Sequence, residues 1–85
     1  MTTPPPVASP LLARYMRDAI RHGLKMVTFP DGTVEVTIGR NASHTWTAVI
    51  EPGGMVYIEV SGDEGDRYEV LVRSDADVPS YVGHY

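Results

Sequence analysis

The stretch VEVTIGRNASHTWTAVIEPGGMVYIEV, residues 34–60, decides the fold. Its apolar residues recur at every second position: Val34, Val36 and Ile38, then Trp46, Ala48 and Ile50, then Val56, Ile58 and Val60. A period of two marks a β-strand with one buried face. All these positions are even-numbered, and the same phase reaches back to Leu24, Met26 and Thr28 and forward to Tyr68, Val70 and Val72. Directly opposed residues of an antiparallel pair share a face, so successive runs in one phase require connections of odd length unless a bulge intervenes.

The connections comply. Pro30-Asp31-Gly32 separates Phe29 from Thr33 and suits a type I turn closed by a glycine bulge. Gly39 to Ser43 reads as a second loop, pairing Ile38 with His44 and Val36 with Trp46. Glu51 to Met55 contains Pro52-Gly53-Gly54, and Ser61 to Arg67 forms a longer, acidic loop. The sequence therefore predicts an antiparallel β-meander of four to five strands, with Leu24 to Phe29 the shortest run.

Working outward, the period becomes helical before residue 23. Ser9 is an N-cap, Pro10 fits the first helical position, and Gly23 follows His22 as a left-handed stop. Leu12, Met16, Ala19 and Ile20 repeat at three-to-four spacing and form one apolar stripe, flanked by Leu11 and Tyr15. One helix laid on the even face of the sheet gives an α+β domain over residues 10–73. Residues 1–9, with Pro4-Pro5-Pro6, read as a flexible arm, and residues 74–85 as an aromatic tail carrying Tyr81, Val82 and Tyr85.

Composition then narrows the functional classes. The 85-residue chain has no cysteine, which excludes disulfides and thiolate metal sites, and its first ten residues have neither the basic start nor the apolar run of a secretory signal. A cytoplasmic location is the expectation, with no membrane segment. The net charge of −4 disfavours a general nucleic-acid binder. Its distribution is uneven: Arg14, Arg17, Arg21 and Lys25 dominate residues 10–25, whereas residues 59–77 hold seven acids against Arg67 and Arg73.

No catalytic or metal pattern stands out. His22, His44 and His84 are isolated, without the spacing of a metal motif, and neighbours such as Ser43 and His44 on a strand point to opposite faces. The acidic stretch Ser61 to Asp66 lacks the ligand spacing of a calcium loop, and Asn41-Ala42-Ser43, though a glycosylation sequon, reads as a turn. No cofactor is expected. Glu35, Glu59 and Glu69 on the odd face are carboxylates available for acid–base work, but keeping that face wet is the simpler role.

Two surfaces remain for partners. Arg14, Arg17 and Arg21 share one exposed helix face, supported by Arg14–Asp18 pairing. The odd sheet face carries Val49, Met55, Tyr57 and Leu71 as a contiguous apolar strip that the single helix cannot cover; the tail, a second copy in a homodimer or another protein would cover it. The expected function is a small non-enzymatic protein-interaction module, regulatory or host-directed. A nucleic-acid-associated regulator using the arginine face is the alternative.

Overall fold

A computed structural model describes residues 9–79 as one helix followed by a five-stranded antiparallel sheet. Helix α1 spans Pro10–Arg21, and the strands are β1 (Met26–Thr28), β2 (Val34–Arg40), β3 (His44–Ile50), β4 (Val56–Gly62) and β5 (Arg67–Leu71). The strands follow one another across the sheet in chain order, the expected meander. The arm and tail residues Tyr81 and Tyr85 lie outside the described residues, apart from Ser9 of the arm.

Both ends of α1 are closed by local chemistry. Ser9 Oγ accepts from the Leu12 amide at 3.1 Å, satisfying one of the donors that a helix start leaves unpaired. At the other end Gly23 adopts φ 79°, its amide donates to Ile20 O at 3.0 Å, and the Leu24 amide donates to Ala19 O at 2.9 Å. This pair of bonds is the Schellman stop that glycine makes inexpensive. Leu12, Met16 and Ala19 are fully buried, with Leu11, Tyr15 and Ile20 at the margin of the same core.

The even face is the core face. Val36, Ile38, Trp46, Ala48, Ile58 and Val60 are buried with the helix residues, and α1 packs against β2. Coverage fades towards β5, where Tyr68, also in the even phase, is 44% exposed. Three connections close by one device. Phe29, Glu51 and Gly62 each donate an amide to the carbonyl four residues on, and Gly32, Gly54 and Gly65 sit at positive φ one residue before that carbonyl. Only glycine adopts that conformation at little cost, which is why the turns carry it there.

The fourth connection differs from the expectation. Val36 opposes Ala48, not Trp46, and the register slips between Thr37 and Gly39, so that Gly39 opposes Trp46 and Arg40 opposes Thr45. Ile38 and Gly39 together face one residue of β3, the definition of a β-bulge. Gly39 is thus a buried strand residue opposite Trp46, and not the first residue of a loop. The shorter turn that results is held by Asn41, whose Oδ1 accepts from the Ser43 and His44 amides at 2.9 and 2.8 Å.

Beyond β5 the chain crosses to the helix. Asp75–Asp77 form a short 3-10 turn, η1, whose Asp75 Oδ1 accepts from Ser9 Oγ at 2.5 Å and from the Leu11 amide at 3.1 Å, while Val78 joins the core. Packing therefore continues past residue 73. The described part of the tail lies on the helix side of the sheet, away from the odd face.

Candidate functional site

The register assembles the odd face from rows of opposed residues. One row, Val27, Glu35, Val49, Tyr57 and Leu71, crosses all five strands. At about 4.8 Å per strand it runs roughly 19 Å. Thr37, Thr47, Glu59 and Glu69 form the next row, and Glu51 and Met55 close the hairpin on the other side. The strip expected on this face is present, but its members differ in access. Val49, flanked by Glu35 and Tyr57, is only 2% exposed, whereas Met55 and Leu71 are 52% and 42% exposed, and Phe29 lies open at the β1 end.

Carboxylates surround the apolar strip. Burial raises the Tyr57 phenol above its ordinary pKa of 10.0, and Glu69, Glu51, Glu59 and Glu35 push it further in that order, because a phenolate would meet four like charges. Glu59 is tied by Arg67 Nη2 at 2.7 Å. Among the described residues Glu35, Glu51 and Glu69 have no ion-pair partner. Glu51, Met55, Tyr57, Glu69 and Leu71 together line a shallow depression at the β4–β5 end of the face.

Arg14, Arg17 and Arg21 are exposed on the outer side of α1, with the sheet's odd face on the opposite side of the molecule. The Arg14–Asp18 pair expected from i, i+4 spacing is not formed, and none of the three arginines has an ion pair among the described residues. The structure therefore does not bring the two sets of site residues together.

A third constellation escaped the sequence. Ser43 Oγ lies 2.8 Å from His44 Nδ1, and His44 Nε2 lies 3.0 Å from Asp66 Oδ2. The expectation that Ser43 and His44 point apart fails because Ser43 belongs to the Asn41 turn; β3 begins only at His44. Asp66 reaches the ring because His44 opposes Gly62, which leaves room for the carboxylate: a Cβ at Gly62 would run into Asp66 Oδ1. With a neutral ring, Nε2–H donates to Asp66 and Nδ1 accepts from the hydroxyl; with a protonated ring both nitrogens donate, and the hydroxyl turns to Asn41 Oδ1 at 3.1 Å.

The hydroxyl–imidazole–carboxylate order has the residue types of a hydrolytic relay, set in a hydrogen-bonded turn beside further carboxylates. The Ser43 and His44 amides are given to Asn41 Oδ1, and Asp63 and Glu64 line the same depression, adding negative charge beside it. What the group does is join two hairpin turns, assisted by the Asp63 amide donating to Ser43 O at 2.9 Å. Among the described residues no cluster of three His, Asp or Glu could hold a metal ion, and no helix is long and apolar enough to cross a membrane. No family model, curated protein or solved structure matches the chain.

Proposed function

We infer that this chain is a protein-interaction module that binds another protein through the odd face of its sheet. The supporting observation is the row Val27, Glu35, Val49, Tyr57 and Leu71, which carries apolar or aromatic side chains on four of the five strands, with Glu35 on β2, on the side away from the helix. Three large apolar residues of that face, Phe29, Met55 and Leu71, are more than a third exposed. Large apolar residues left exposed on one face of a small domain are the kind of surface that contact sites use. The low relief of the face suits a broad contact better than an enclosed small-molecule site.

A photo-crosslinking residue introduced at Tyr57 in the native cell tests this reading. A discrete protein adduct is expected from position 57 and not from the exposed position Thr28 on the other side of the sheet. Equal labelling from both positions, or none from position 57, would overturn it. The nucleic-acid alternative has its own support, the exposed and unpaired Arg14, Arg17 and Arg21. It predicts binding to short duplexes that weakens steeply with salt and is lost when all three are replaced by Gln.

A further inference from the structure

Building on the sheet face as a docking surface, we propose that the depression lined by Glu51, Met55, Tyr57, Glu69 and Leu71 receives an arginine side chain from a basic, apolar-flanked segment of the partner protein. The argument is one of complementarity. Met55 and Leu71 are the two most exposed apolar residues of the face, and an arginine stem of three methylenes covers such surface while its head stays polar. The head then has two carboxylates to meet, Glu51 and Glu69, neither engaged in an ion pair among the described residues. Between them stands the Tyr57 ring. A planar guanidinium can stack on an aromatic face and direct its N–H groups at carboxylates in the same plane, which an ammonium cannot do.

Charge also selects the class of partner. Glu35 and Glu59 also lie near Tyr57, but Arg67 pairs with Glu59 and Lys25 sits at the β1 end, so the attraction for a cation is concentrated at the β4–β5 end, around Glu51 and Glu69. A second copy of the chain is a poorer occupant. A symmetric pairing of two odd faces would bring the same carboxylates around Tyr57 towards one another, and docking of the Arg14, Arg17 and Arg21 face of α1 onto the sheet would be head-to-tail and would not close into a dimer. The outer side of α1 also lacks a large apolar anchor for the strip.

The test uses the full chain and synthetic amphipathic peptides of about sixteen residues, long enough for helical order on contact. One peptide combines leucine and arginine, a second has every arginine replaced by glutamate, and a third keeps the arginines but has serine for leucine. Amide resonances are followed by two-dimensional NMR. The leucine–arginine peptide is expected to shift residues 55–57 and 69–71 saturably, and the other two to bind at least about tenfold more weakly, the step expected for losing charge-assisted bonds or a buried anchor. Glu51→Gln with Glu69→Gln should weaken the first peptide by a similar factor, with the sheet spectrum otherwise preserved.

Equal binding of the arginine and glutamate peptides at residues 55–57 would overturn the cation pocket while leaving the docking face intact. Shifts confined to α1, or none at all, together with no adduct from position 57, would remove both readings. Sedimentation of the free chain as a concentration-dependent dimer or open polymer, abolished by Tyr57→Glu, would assign the face to a second copy and overturn the arginine proposal.

Discussion

Two side-chain placements make claims that substitutions can check. Because Asp66 occupies the space a Cβ at Gly62 would need, Gly62→Ala should expel the carboxylate from His44, and Asp66→Asn should weaken the same contact. The pair is partly exposed, so each change should cost no more than about 1 kcal/mol, and the double variant should cost little more than the larger single one. Urea midpoints of the four proteins measure this. Additive losses would show that Gly62 and Asp66 act separately. Tyr57 offers a spectroscopic check: the Cζ resonance of its ring should titrate above pH 10.0, and Glu69→Gln should bring it back towards the ordinary value. The His44 group itself was hidden from sequence reading because parity arguments apply to strands, and Ser43 is one residue outside one. The only available signal was Asn41 two residues before Ser43, the spacing of an Asx turn.

Among the elements, α1 is where sequence and structure agree most closely. Its N-cap, its stop and its buried stripe follow from residue types that act locally, so no knowledge of the rest of the fold was needed. Leu12→Ala should cost roughly 2 to 5 kcal/mol, as large-to-small changes in a packed core do, whereas Arg17→Ala should stay within about 0.5 kcal/mol. Thermal or urea unfolding would show both, and equal effects would mean that the helix is not held by its stripe. The sheet was legible through three of its four turns, each with glycine at the left-handed position. The fourth misled because Gly39 has the composition of a turn and the location of a strand. Its place opposite Trp46 in the ladder is a long-range fact that local composition does not carry. The odd face was half legible. Parity gave its membership, but the burial of Val49 and the ring of carboxylates around Tyr57 required the register.

At the scale of the whole molecule, Asp75 is the residue that ties the last described turn to the start of the helix. Hydrogen bonds from Ser9 Oγ and the Leu11 amide hold its carboxyl below the usual 3.8. A depressed folded-state pKa means that this contribution is complete above the unfolded value and is lost as pH falls through the folded one. Urea midpoints should therefore decline as pH is lowered from about 5 to about 2, with Asp31, bonded to the Thr33 amide, adding to the same slope. Asp75→Asn should be less stable at neutral pH and should flatten that decline; an unchanged slope would show that other carboxyls govern it. The Asp75 contact also has a meaning in time. Each strand can pair with the strand made just before it, so the sheet can assemble hairpin by hairpin as the chain leaves the ribosome. The helix is synthesised first, yet the carboxylate that secures its opening turn arrives 64 to 66 residues later. Until β2 and the strands after it emerge, the stripe of Leu12, Met16 and Ala19 has no sheet face to rest on, and the carboxylate that closes the helix start arrives later still.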